Sequence, residues 1–220
     1  MRYSVFPALL LSLGSAAGAP QTRASVPAVP KEDTQKVLVV FGDSLSAGYG
    51  LQPGQSYPDN LQRKLDAQGY AWRVVNLGIS GDTTMGGVAR IQTGIALKPA
   101  LVLLELGGND GLRGMPLART RENLDRMIVA FERAGARVVL AGMTLPPNYG
   151  LDYVTGFRKI YTDLAAKYQL TLLPFLLEDI ITRDLRYFQR DGVHPTADGA
   201  QIVAETVLRT LRPLLGAAKH

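Results

Sequence analysis

Ser44 and His194 carry the two side chains best suited to acyl transfer in this chain, a hydroxyl nucleophile and a base that titrates near neutrality. Ser44 stands in Gly42-Asp43-Ser44-Leu45-Ser46-Ala47-Gly48-Tyr49-Gly50, directly after an apolar run. Taken alone, a serine there is a helix cap or a turn residue. An imidazole within reach changes that reading: it can take the serine proton if an acceptor on its other nitrogen fixes the tautomer. The chain has two histidines, and the second, His220, is the last residue, so His194 is the base to consider. Asp191 lies three residues earlier, in the Gly- and Pro-bounded turn Asp191-Gly192-Val193-His194-Pro195, and can curl its carboxylate under the ring without long-range assembly.

Acyl transfer also needs donors aimed at the developing oxyanion, each worth roughly 2.7–4 kcal/mol in known cases. The candidates are the Ser44 backbone N–H, the Gly81 backbone N–H and the Asn109 side-chain amide. Gly81 is read as the start of a helix opening with Asp82-Thr83-Thr84, where the helix end favours negative charge. Judged singly, Gly81 is as readily a plain turn glycine and Asn109 an Asx-turn residue. Their coincidence at the ends of neighbouring apolar runs carries the weight. Neither a GxSxG elbow nor a GxxxxGK[ST] loop is present, so the usual α/β-hydrolase and P-loop nucleotide sites receive no support.

Five apolar runs must position these residues: Val37 to Phe41, Arg73 to Leu77, Leu101 to Leu106, Arg137 to Ala141 and Leu170 to Pro174. Each reads as a buried strand. Between them lie helical spacings: Leu61 and Leu65 after Tyr57-Pro58; Leu124, Met127, Ile128 and Phe131; and Ile202, Val203, Val207, Leu208 and Leu211. Continuously apolar strands separated by helix-length segments imply parallel pairing with helices on both faces, hence a three-layer α/β/α sandwich in one domain. Ligands then bind outside the strands' carboxyl ends, where all of these residues fall. A further loop at that end, Gly142-Met143-Thr144-Leu145-Pro146-Pro147-Asn148-Tyr149-Gly150, has glycines at both ends that suit hinges. Apolar residues there and nearby (Leu112, Met115, Leu145, Pro146, Tyr149, Leu151) suit an acyl chain or aryl ester better than a sugar.

Composition removes several alternatives. With 46% apolar and 20% charged residues, a folded core is expected rather than a disordered chain. The absence of cysteine excludes disulfides, iron–sulfur clusters and thiolate chemistry, and two histidines argue against a zinc enzyme. The net charge of +5 is spread over Lys and Arg interleaved with Asp and Glu, which is a solvated surface rather than a nucleic-acid footprint.

Residues 1–19, with Arg2, an uncharged apolar stretch and the ending Ala17-Gly18-Ala19, read as a secretory signal peptide. The apolar stretch from Val5 to about Leu13 is shorter than the roughly 20 residues that span a bilayer, so cleavage is favoured over a membrane anchor. Residues 20–35, with Pro20, Pro27 and Pro30, read as an extended leader, and 36–216 as the folded domain of an exported, periplasmic or secreted protein.

FGDSLSAGYG, ISGDT, GGND and DGVHP, in that order, resemble the four signature blocks of the SGNH (GDSL-type) hydrolase superfamily, and most of all its small bacterial exported arylesterases, lysophospholipases and thioesterases. The resemblance spans residues 37 to about 215. It implies a five-stranded flavodoxin-like sheet in the order 2-1-3-4-5, no cofactor and no metal. It further implies Ser44 as nucleophile, Asp191 and His194 as its triad partners, and an oxyanion hole of Ser44, Gly81 and Asn109. Leu145, Pro146, Asn148 and Tyr149 fall on the loop that lines the acyl groove in the thioesterase-like members. One departure is Leu77-Gly78, where the family pattern has a small pair bearing on groove width near Gly81. The implied activity is a monomeric serine esterase acting on lysophospholipids, aryl esters and short-to-medium acyl esters or thioesters. A carbohydrate O-acetylesterase is the alternative; a non-catalytic lipid- or glycan-binding module fits less well, since every block residue is retained.

Overall fold

The computed structural model describes residues 35–218. The signal peptide expected at 1–19, nearly all of the leader and His220 lie outside the described residues.

Five parallel strands run in the spatial order β2-β1-β3-β4-β5, the order that the family resemblance implies. They are β1 (Lys36–Gly42), β2 (Trp72–Asn76), β3 (Leu101–Glu105), β4 (Arg137–Ala141) and β5 (Thr171–Leu173). The inner strand β1 pairs Leu38 to Gly42 with Leu101 to Glu105 of β3, and Lys36 to Val40 with Trp72 to Asn76 of β2. Both faces of the sheet are covered, so Leu38, Val39, Val40, Phe41, Val102, Leu103 and Leu104 have essentially no exposure. Truncating one of these leucines to Ala costs about 2–5 kcal/mol in transfer and cavity terms.

The helices are α1 (Ser44–Ala47), α2 (Tyr57–Ala67), α3 (Thr84–Ala89), α4 (Ile91–Ile95), α5 (Gly108–Leu112), α6 (Leu117–Arg133), α7 (Leu151–Tyr168), α8 (Glu178–Ile181) and α9 (Ala197–Leu211). One layer joins α2, α8 and α9; the other joins α3, α4, α6 and α7. The periodic residues Leu61 and Leu65, Leu124 to Phe131, and Val203 to Leu211 are the buried stripes of α2, α6 and α9. Helix starts are set by local chemistry. Ser56 and Asp59 close a capping box on α2, and Thr196 caps α9 by accepting from the Gly199 N–H at 3.3 Å.

The strands end within a residue or two of their expected bounds, with two differences that matter. β2 stops at Asn76 because Gly78 is pressed against the α1 backbone, where an added Cβ would lie 2.3 Å from the Ala47 nitrogen. Leu77 packs against the core. The helix expected to open at Asp82 begins at Thr84, because Thr83 is its cap.

Candidate active site

Ser44 is the first residue of α1, and the Asp43 side chain before it caps that helix by accepting the Leu45 N–H at 3.0 Å. The short loop from β1 into α1 therefore lifts the Ser44 hydroxyl out of the sheet edge. His194 Nε2 lies 2.9 Å from Ser44 Oγ, and His194 Nδ1 lies 2.7 Å from Asp191 Oδ2. With Nδ1–H donated to the carboxylate, Nε2 is the free acceptor facing the serine proton. Asp191 Oδ1 accepts the backbone N–H groups of Val193 (2.9 Å) and His194 (3.0 Å), which locks the turn that carries the ring. Desolvation pulls the Asp191 carboxyl upward, but the His194 and Val193 amides and the imidazole outweigh it and hold it below the ordinary carboxylate value.

The three loops bearing the expected donors are stitched to one another. Gly42 O accepts the Ile79 N–H (3.1 Å) and Arg90 Nη2 (2.9 Å), tying the Gly81 loop to the nucleophile loop. Asn109 Nδ2 donates to Asp43 Oδ2 at 3.2 Å, bringing the third loop alongside. Neither the Ser44 nor the Gly81 N–H donates to a protein acceptor among the described residues. Gly81 has φ +79, a backbone that side-chain-bearing residues avoid. Since α3 starts only at Thr84 and is one short turn and a half, the Gly81 amide is aimed by its own turn rather than by a helix end. That turn is held from outside by Arg113 Nη2 donating to Gly81 O (3.0 Å), and from inside by Asp82. Asp110, next to Asn109, anchors the start of α3 through Thr84 N (2.8 Å) and Thr84 Oγ1 (2.5 Å).

Four positioning residues escaped the sequence reading. Arg90 donates to Asp82, Leu77 O and Gly42 O at once. Gln189 Nε2 donates to Tyr49 O (2.7 Å) and Pro195 O (2.9 Å), fastening the serine loop to the histidine loop. Asp43 and Glu105 form a buried acid pair beneath Ser44. Burial pushes Asp43 up to about 6, against the opposing pull of the Leu45 N–H, Glu105, His194 and Asn109. Of these, Glu105 alone carried a signal, a charge inside an apolar strand.

A small recess at Ser44 is lined by Leu45, Tyr49, Leu51, His194 and Pro195. The Tyr49 ring stands 4.6 Å from the imidazole, centroid to centroid, and is half exposed. The loop expected to line an acyl groove is tied to α5. Tyr149 OH donates to Leu112 O (2.9 Å) at the end of α5, Leu145 is buried against Gly111, and Pro146 and Asn148 face outward. Gly142 is tied to β5 and its following turn: its N–H donates to Leu173 O at 2.7 Å, and an added Cβ would strike Pro174 O. Tyr49, Ile79, Met85, Leu112, Leu151 and Val193, large apolar residues left exposed, all lie in or beside loops of this end. Ile79 and Met85 flank Gly81 and were not among the apolar residues expected there.

Known proteins resemble this chain in sequence and in fold. Residues 40–202 match the GDSL-like Lipase/Acylhydrolase family. The chain is 45% identical over 181 residues to Esterase TesA of Pseudomonas aeruginosa, covering 82% of this chain and 90% of the relative. It is 37% identical over 179 residues to Thioesterase 1/protease 1/lysophospholipase L1 of Escherichia coli K12, covering 81% and 84%. Its fold matches the crystal structure of AlinE4, an SGNH-hydrolase family esterase, with a TM-score of 0.69 and 41% identity over 83% of this chain and 98% of that one. The chain belongs to the GDSL-like lipase/acylhydrolase family and is an ester hydrolase.

Proposed function

We propose that Ser44 is the nucleophile of this hydrolase, His194 its general base and acid, and Asp191 the group that steadies the imidazolium. The observation that carries this reading is the unbroken chain Asp191 Oδ2–His194 Nδ1 (2.7 Å) and His194 Nε2–Ser44 Oγ (2.9 Å). Ser44 Oγ attacks the ester carbonyl carbon as its proton passes to His194 Nε2. The carbonyl oxygen gains charge and is met by the Ser44 and Gly81 N–H groups and the Asn109 amide. His194 returns the proton to the leaving alkoxide, phenoxide or thiolate. Water, activated by the same imidazole, then hydrolyses the acyl-serine and frees Ser44.

The substrates are acyl esters with an apolar acyl or aryl part, lysophospholipids and related thioesters included. The exposed apolar side chains around Gly81 and His194 support this class, since a sugar would be met by polar groups and flat aromatic faces. Asn148 and Pro146 on the loop before α7 border the acyl path, with Leu145 packed behind them and Tyr149 fixing the loop to α5. The protein works as an exported enzyme, since residues 1–19 carry the signal pattern. No helix among the described residues is long and apolar enough to cross a membrane.

A substrate panel tests the assignment: p-nitrophenyl esters from acetate to palmitate, a lysophospholipid and an acetylated glycan, each run beside Ser44→Ala. Turnover of acyl chains longer than acetate, lost in the variant, is the expected result. Release of acetate alone would move the substrate to the carbohydrate ester class.

A further inference from the structure

Glu105 closes β3 and is fully buried in an otherwise apolar run. Its Oε2 accepts the Asp43 backbone N–H at 3.2 Å and the Ser46 hydroxyl at 2.5 Å. Because the Ser46 proton is committed to Glu105, Tyr57 is the donor in its 2.7 Å contact with Ser46 Oγ. Glu105 Oε1 is buried and meets no protein donor among the described residues. As a carboxylate, Glu105 would bury a charge with that oxygen unmatched by any of these donors, which is costly.

The neighbour that resolves this is a second acid. Asp43, buried beside it with its backbone N–H on Glu105 Oε2, brings a second carboxyl to Glu105, and two carboxylates, which only accept, can share a hydrogen bond only with a proton between them. Asp43 already accepts the Leu45 N–H on Oδ1 and Asn109 Nδ2 on Oδ2, bonds that an ionised carboxylate makes best. The proton therefore sits on Glu105. Gly42 makes the room: a Cβ there would lie 2.3 Å from Glu105 Oε2.

We propose that Glu105 is a buried neutral acid that donates its proton to Asp43, and that this acid pair is the device that positions the Asn109 amide. The inference rests on the assignment of Asn109 to the oxyanion hole. One Nδ2 hydrogen is spent on Asp43 and the other is left for the substrate oxygen. The pair also keeps a single negative charge near His194, where an imidazolium forms during turnover. Burial and the Asp43 charge hold Glu105 well above the ordinary carboxylate value. Tyr57 from α2, Tyr161 from α7 and His194 from the last loop face the pair, with Arg90 on the Gly42 carbonyl beside it and Asp110 beyond Tyr161.

The test joins a spectrum to kinetics. Infrared difference spectra between wild type and Glu105→Gln at neutral pH read the C=O stretch of a protonated acid. The expected result is that band in the wild type and its loss in the variant. Glutamine reproduces the neutral donor and acceptor of the protonated acid, so Glu105→Gln should rescue kcat to within about threefold of wild type, where Glu105→Ala falls by tenfold or more. Asp43→Asn, which removes the charge that grips Asn109, should lose roughly 10–100-fold in kcat with KM within about twofold. Absence of the acid band at neutral pH, or a loss in Glu105→Gln as deep as in Asp43→Asn, would overturn the proposal. The band does not depend on what Asn109 does, so a normal kcat in Asn109→Ala would count against the oxyanion-hole assignment and leave the protonation of Glu105 standing.

Discussion

Arg90 holds the Asp82 carboxylate at 2.7 Å while its other two nitrogens reach the carbonyls of Leu77 (2.7 Å) and Gly42 (2.9 Å), so one guanidinium ties the ends of β1 and β2 to the turn that carries Gly81. Its plane also lies 4.0 Å from the Phe41 ring centroid, and only 14% of the side chain is exposed. A lysine ammonium cannot serve that fork. Arg90→Lys is expected to lower kcat by roughly 10–100-fold, with KM moving by less than about threefold, because it loosens a donor that matters in the transition state. Arg90→Ala also leaves Asp82 unpaired at low exposure and should cost about 3–5 kcal/mol in denaturant unfolding.

Gly42→Ala is expected to destabilise the domain by about 1–3 kcal/mol. The added methyl would sit 2.2 Å from Ser46 Oγ and 2.3 Å from Glu105 Oε2, both in a fully buried network. Chemical denaturation reads the loss, and activity should fall with it, because Ser44 and Asp43 follow Gly42 directly in the chain.

Asp43 makes stability depend on pH in a definite direction. Its carboxyl rises from 3.8 to about 6 on folding, so between those values the folded chain holds a proton that the unfolded chain has released. Stability from this group is therefore greatest below that window and declines as pH rises through it, by on the order of 2–3 kcal/mol. Comparing wild type with Asp43→Asn by unfolding on either side of the window isolates the term. The decline should be present in the wild type and missing in the variant. The charge that grips Asn109 appears over the same interval, so kcat should rise as stability falls.

Asp191→Asn is expected to reduce kcat by on the order of 10³–10⁴-fold, because an amide in place of the carboxylate no longer imposes the tautomer that leaves His194 Nε2 free. The lowered Asp191 carboxyl keeps its charge well below neutrality. Its own contribution to stability is present above the ordinary carboxylate value and fades as pH falls through its lowered one. The acid limb of the pH–rate profile is thus assigned to Asp43, and steady-state rates across that limb check it.

Much of this was legible because it is local or periodic. The strands follow from buried apolar runs separated by helices and their order from the family resemblance, and Asp191 and His194 sit three residues apart, so one turn assembles two of the three triad residues. What stayed hidden acts across the fold. Arg90 is one cation among 24 Lys and Arg, and nothing near it shows that it reaches Gly42, 48 residues back. Gln189 bridges to Tyr49 across 140 residues and has no periodic neighbour to mark it. Glu105 was read as part of an apolar strand; a lone acid in a strand covered on both faces is itself the sign of a protonated or paired group. The Gly81 turn was misjudged because Thr83, a better cap than Asp82 here, moved the helix start two residues on.

The central claim is that Ser44, activated by His194, takes the acyl group. Mass spectrometry after treatment with a fluorophosphonate tests it most directly. A single phosphonyl adduct mapped to Ser44 is expected, absent in Ser44→Ala and slowed by at least about 10³-fold in His194→Ala. An adduct on another residue, or wild-type ester turnover in Ser44→Ala, would contradict the account.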